Sequence, residues 1–152
     1  MHAQEGLVDI TRQLAHPTSA VYAAWSQQEA QLAWGDPGDG WQLAFDDFRF
    51  AVGEVDVCRF GPVDGPQYLN RNRYLVLDPE RQIVYATSLQ TDQGLSFCGT
   101  VEVDLEPHQG GTRLRLRERG YYLGDGDSAE AHREGWESML SALGEYLDAR
   151  AG

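Results

Sequence analysis

DSAEAHREGWESMLSALGEYLDAR, residues 127–150, reads as one helix of about six turns, and the rest of the chain makes sense as a structure built around it. Asp127 stands three residues before Glu130, the spacing of a capping box that offers acceptors to the first free amides. Behind it His132, Trp136, Leu140, Leu143 and Leu147 recur in steps of four, four, three and four. They therefore share one face, with Met139 and Tyr146 at its edge. Glu130, Arg133, Glu134, Glu137, Glu145 and Asp148 fall mostly elsewhere and are expected in solvent. Gly135 and Gly144 each weaken a helix interior by about 1 kcal/mol relative to alanine. Two of them point to a helix pressed closely against a neighbour or curving over a cavity, and the strand-rich sequence upstream makes that neighbour a sheet.

Residues 6–14 alternate as a first strand, with Val8, Ile10 and Arg12 on one side. His16-Pro17-Thr18 ends it, Thr18 or Ser19 is the expected cap of a short helix through Trp25, and Ser26 opens a second ending near Trp34. After the turn-rich residues 35–40, strands at 41–50 and 53–60 form a hairpin reversing around Ala51-Val52-Gly53. The alternation slips there (Phe48 and Phe50, then Val55 and Val57), which also fits a bulge at Gly53. Further strands follow at 67–78 and 82–90, and Gly94 marks the next turn. In the last pair Phe97, Gly99, Val101, Val103 and Leu105 face one way and Glu102, Asp104 and Glu106 the other. Leu114 and Leu116 then oppose Arg113, Arg115 and Arg117. Opposite charges on facing strands make a solvated ladder on a half-buried antiparallel pair, not an anion site. Glu118 is in phase with Leu114 and Leu116, so it faces the apolar side. A carboxylate there must be hydrogen-bonded, ion-paired, protonated or wet.

The totals describe one domain of 152 residues, large enough to bury a core without staples. Twenty-four acidic residues against twelve basic ones give a net charge of −12, which favours solubility and repels phosphate backbones and anionic membrane surfaces. Nucleic acid is therefore not an expected partner. No apolar run reaches the length of a membrane span and the N-terminus lacks signal-peptide regions, so a cytoplasmic protein without membrane insertion is expected. Cys58 and Cys98 fall in predicted strands and read as free thiols. His2, His16, His108 and His132 have no ligand spacing with each other or with the cysteines, so no metal site is expected. No phosphate loop, dinucleotide fingerprint or nucleophile elbow is present, and no cofactor is implied.

The order strand, two short helices, antiparallel strands, long amphipathic helix is an α+β arrangement, a sheet of six or seven strands burying its apolar face against the last helix. Ile10-Thr11-Arg12, Pro17, Val21-Tyr22, Ala24-Trp25, Glu29 and Trp34 also carry a family resemblance. So do Gly53, Tyr74 to Pro79, Gly111-Thr112-Arg113-Leu114, and Gly135-Trp136 followed by Leu140, Leu143 and Leu147. From about Val8 to Leu147 the chain resembles the START/Bet v1-like (SRPBCC) superfamily, and within it the branch named after the activator of the ninety-kilodalton heat-shock ATPase. It departs from the pattern at His16, where a small residue commonly precedes the proline, and at Ala51-Val52-Gly53, where paired glycines are more usual. The resemblance implies a helix-grip fold with a cavity between the long helix and the sheet, used by members for apolar or amphipathic small molecules and in some cases for cyclase-type catalysis.

Trp34, Phe48, Phe50, Tyr74, Tyr85, Phe97, Trp136 and Leu140 are candidates to line such a cavity, or equally to fill the core. Glu118 and His132 are candidates for ligand contact and for acid–base work. Three functions follow: binding of a small apolar or amphipathic ligand, a cyclase or hydration–dehydration reaction in the same cavity, and binding of a protein partner in the manner of a co-chaperone. Leu69, Leu75 and Leu77 set against Tyr68, Tyr74 and Val76 put apolar residues on both sides of one strand, a pattern that also fits a homodimer or partner surface.

Overall fold

The computed structural model describes residues 2–151. Its elements are β1 (Ala3–Leu14), α1 (Thr18–Ser26), α2 (Gln28–Trp34), β2 (Trp41–Asp47), β3 (Val55–Pro62), β4 (Tyr68–Asp78), β5 (Gln82–Thr91), β6 (Gly94–His108), β7 (Gly111–Leu123) and α3 (Ala129–Ala151). One antiparallel sheet contains all seven strands in the order β1-β7-β6-β5-β4-β3-β2, so each strand from β2 to β6 pairs with its successor while β1 closes onto the last. The α+β helix-grip architecture expected from the sequence is the one found.

Because residues directly opposite in an antiparallel pair share a face, the register sorts the concave side into rows. Ile10, Leu116, Val103 and Ile83 make one row, and Val8, Glu118, Val101, Tyr85 and Tyr74 the next. Beneath α3 these rows meet Leu140, Leu143 and Leu147 in one core that also takes in Trp25 and Trp34. All of these side chains are almost fully buried, so the space between α3 and the adjoining strands is filled by packing. A third row is Gly6, Gly120, Gly99, Thr87, Asn72 and Asp56. Its glycines are required by close approach: a Cβ on Gly99 would lie 2.1 Å from the Arg119 carbonyl oxygen, and one on Gly120 2.2 Å from that of Cys98. There the sheet bends tightly, with the Tyr122 ring folded over Gly6.

Several local expectations are corrected. Pro17, not Thr18 or Ser19, is the N-cap of α1, and its carbonyl accepts from Ala20 and Val21. Gln27, in extended conformation, separates α1 from α2. Ser128, not Asp127, caps α3: its hydroxyl accepts from the Ala131 N–H at 3.1 Å, while Asp127 bonds elsewhere. Gly135 looks into open space and Gly144 meets only Leu14 at 3.8 Å, so neither marks a close approach. The irregularity in β2 falls between Phe45 and Asp47, not at Gly53. In β3, where the alternation left the inner face open, Asp56 and Cys58 turn inward. A bulge between Tyr74 and Val76 puts Tyr74 and Leu77 on the same side and leaves Leu75 and Val76 exposed, so β4 does not carry the two alternating apolar sets read from its sequence.

The convex side carries a charged ladder beside the exposed apolar residues Leu7, Val76 and Tyr121. Arg115 pairs with Asp9, Arg117 with Glu102 and Asp104, and Arg113 with Glu106, the solvated ladder expected from the alternation. Among the described residues no helix is long and apolar enough to cross a membrane.

Candidate functional site

Glu118 arrives on the concave side by strand parity and is 5% exposed. His132 arrives from the first turns of α3, where Ser128 fixes the start of the helix. The two meet with Nδ1 of His132 2.5 Å from Glu118 Oε1, and Nε2 lies 2.5 Å from Asp127 Oδ2. Trp136, one turn further along, donates its indole N–H to the other oxygen of Glu118 at 3.1 Å. The imidazole is enclosed by Phe97 and Tyr122, with ring centroids 4.6 and 4.9 Å away. Burial by itself would disfavour its charged form. The hydrogen bonds to Asp127 and Glu118, reinforced by their charges, outweigh this and raise its pKa from 6.5 to about 9. His132 is therefore an imidazolium at neutral pH that donates both N–H groups, a cation held between two carboxylates and two aromatic rings.

That saturation limits its chemistry. Both ring nitrogens and both Glu118 oxygens are engaged within the protein, which leaves no free lone pair on the ring for a metal or a proton transfer. Sequence reasoning brought Glu118 and His132 to the same interior; it did not find Asp127, whose position after Gly124 it assigned to helix capping.

A second buried carboxylate, Asp56, has no signature in the alternation of β3. Asp56 is 1% exposed and accepts from the Tyr74 hydroxyl at 2.7 Å and from the backbone N–H groups of Arg49 and Phe50 at 2.5 and 3.1 Å. It holds the irregular segment after β2 against β4. Burial, with the Asp56 charge added, pushes the Tyr74 phenol well above its usual range. Burial likewise pushes the Cys58 thiol up to about 12, so it is protonated and unreactive.

Of the other residues proposed to line a cavity, Trp34 packs on Trp25 at 4.8 Å and donates its indole N–H to the Ala24 carbonyl. Tyr85, Trp136 and Leu140 belong to the packed core. Phe48, Phe50 and Tyr74 form an aromatic ladder, Phe50 standing 4.8 Å from Tyr74 and 6.5 Å from Phe48, and both phenylalanines are half-buried.

The most open part of the concave side lies beyond β6. The helices pack over β1, β7 and β6 and against each other. The row Leu89, Asn70, Cys58, Phe45 and its neighbour Tyr68, Phe60, Leu43 lie on the far strands, and all but Cys58 are only half-buried. Phe60 stacks on Tyr68 at 5.0 Å, and Trp41, 41% exposed, extends the stack. The polar floor of this strip is Asn70, Asn72 and Thr87: Thr87 donates its hydroxyl to Asn72 Oδ1 at 2.7 Å, and the Asn70 amide reaches Thr87 Oγ1 at 3.1 Å. Two depressions lie elsewhere, one of about 890 Å³ on the charged convex side around Asp9, Arg81 and Arg115, and one of about 260 Å³ between α1 and the end of α3.

The family described as Activator of Hsp90 ATPase homolog 1-like protein matches residues 15–148, nearly the whole chain. The chain belongs to that family. As an Activator of Hsp90 ATPase homolog 1-like protein, it has the fold of the Mll3558 protein from Rhizobium loti, 26% identical, over 96% of this chain and 99% of that one with a TM-score of 0.87. A protein from Rhizobium leguminosarum superposes equally well, with a TM-score of 0.87 at 24% identity over 97% of each chain. The AHSA1-like protein from Aeromonas hydrophila shares the fold with a TM-score of 0.71 at 16% identity, over 96% and 94%. No curated protein matches the sequence significantly. The family's helix-grip fold is that of a ligand-binding or partner-binding module.

Proposed function

We propose that the protein binds a small amphipathic molecule on the half-open strip of the concave side. The apolar body lies against Phe45, Phe48, Phe60 and Leu89, and the polar end reaches Asn70, Asn72 and Thr87. One observation carries this reading: concave-side aromatic and aliphatic residues, which a sheet of this kind normally buries, remain half-open directly beside a polar floor. The residues under Leu140, Leu143 and Leu147 are too tightly packed to admit a guest, so Trp34, Tyr85 and Leu140 act as framework. Phe97, Trp136, Glu118 and His132 form the wall on the α3 side, and Phe50 and Tyr74 the wall beside the irregular segment.

Turnover of cyclase or hydration–dehydration type finds less support, because Glu118 and His132 are saturated by internal hydrogen bonds. Native mass spectrometry on protein purified gently from its own cells, followed by denaturing extraction, tests the binding reading. A discrete extra mass of a few hundred daltons, released on unfolding, is the expected result. A protein that stays apo, and that shows no resonance shift in Phe45, Phe60 or Leu89 across a panel of neutral amphiphiles, would refute it.

A further inference from the structure

Resting on that binding reading, the chemistry of the strip narrows its ligand. The only two asparagines in the sequence, Asn70 and Asn72, stand side by side on its floor. Their carboxamides bond reciprocally, each nitrogen 3.2 Å from the other's oxygen. Asn70 Nδ2 also reaches Thr87 Oγ1 and the Ser88 carbonyl, at 3.1 and 3.0 Å, so its two protons are fully used. Among the described residues Asn72 Nδ2 makes only the bond to Asn70, which leaves one N–H free, and Asn70 Oδ1 accepts only that bond, which leaves one lone pair free. The floor therefore offers one donor and one acceptor next to each other. The Ser88 carbonyl fixes this assignment, since an oxygen in place of Asn70 Nδ2 would face another oxygen at 3.0 Å.

Among the described residues no positive charge accompanies this pair. On the strands of the strip Arg59 turns to Asp46, Arg71 to Gln90 and Arg73 to the Gly53 carbonyl, all on the opposite side, and Arg49 pairs with Asp47. His132 is spent on Glu118 and Asp127. The nearest inward charge on the floor is the Asp56 carboxylate, one strand away from Asn72 in the same row. A carboxylate headgroup would meet the free lone pair of Asn70 and the Asp56 charge with no cation to offset its desolvation.

We propose that the strip selects amphiphiles with a neutral carboxamide end, whose carbonyl accepts from Asn72 and whose N–H donates to Asn70, and discriminates against the matching carboxylic acids. Titration of the ¹⁵N-labelled protein with octanamide and with octanoate at pH 7.5 tests this. Octanamide is expected to bind at least about ten-fold more tightly and to shift the side-chain amide resonances of Asn70 and Asn72, the only asparagine signals in the spectrum. In Asn72→Leu the preference should fall below about two-fold while octanamide still perturbs Phe45 and Leu89. The wild-type comparison stands alone if that variant does not fold. Equal or tighter binding of octanoate would overturn the selectivity and leave ligand binding intact. Failure of both compounds to perturb the strip would overturn the binding reading with it.

Discussion

Replacing His132 by glutamine keeps a hydrogen-bonding side chain between β7 and α3 and removes the charge. In the wild type the pKa of His132 is raised from 6.5 to about 9. A group raised in the folded state stabilises fully below its unfolded pKa and loses that contribution as pH rises through the folded value. At about 1.36 kcal/mol per tenfold in proton affinity the rise corresponds to about 3 kcal/mol. The side chain is 12% exposed near the edge of the fold, and screening there brings the contribution to about 2 kcal/mol. Most of it disappears between pH 6.5 and 9, before the Cys58 thiol and the buried phenols titrate. For a chain of this size that amounts to a fall in Tm of about 4–8 °C across the window. Thermal denaturation followed by circular dichroism at half-unit pH steps should show this slope in the wild type and less than about 2 °C in His132→Gln. Parallel slopes in the two proteins would mean that the imidazolium clamp contributes nothing, and the argument from its two carboxylates would be wrong.

Three further substitutions probe other parts of the fold. Gly135→Ala should raise stability by about 0.5–1 kcal/mol in urea denaturation, because its Cβ meets nothing within 4 Å and alanine favours the helix. Gly99→Ala should cost about 3 kcal/mol or more, or abolish folding, since its Cβ would lie 2.1 Å from a backbone oxygen; soluble expression with an unchanged midpoint would contradict the bend described for the glycine row. Tyr74→Phe leaves Asp56 Oδ2 without its 2.7 Å donor and should cost about 1–3 kcal/mol by the same denaturation assay, with the loss concentrated in faster hydrogen exchange at Arg49 and Phe50.

Much of the fold is visible in the sequence wherever one face of an element is apolar over its whole length. Leu140, Leu143 and Leu147 fix the inner face of α3, and Leu114 and Leu116 fix the phase of β7, which then places Glu118 inside. Alternation failed where the concave side turns polar. In β3 the slipped alternation assigns no inner face, and Asp56 and Cys58 occupy it, joining a floor built from Asn70, Asn72 and Thr87. In β4 a one-residue bulge reverses the phase after Tyr74, and a bulge leaves no compositional mark when its flanks are Leu75 and Val76. The Glu118–His132 pair was legible only in part, for a related reason. Glu118 and His132 could each be turned inward by periodicity, but their meeting depends on how residues 124–128 fold back, and no pattern in those residues encodes a distance.

The pairing of β1 with β7 has a consequence for how the chain folds. Strands β2 to β7 join by successive hairpins between near neighbours, whereas Asp9 and Arg115, in contact across the closing pair, are 106 residues apart in sequence. Closing a loop of that length costs roughly 4 kcal/mol of chain entropy beyond a constant, so this step comes late. During synthesis β1 must wait for β7, and α3, which packs along β1, must wait with it. Until then Val8, Ile10 and the unpaired edge of the growing sheet stay open to solvent and to other chains, and the nascent protein is most vulnerable to aggregation in the interval before β1 pairs with β7.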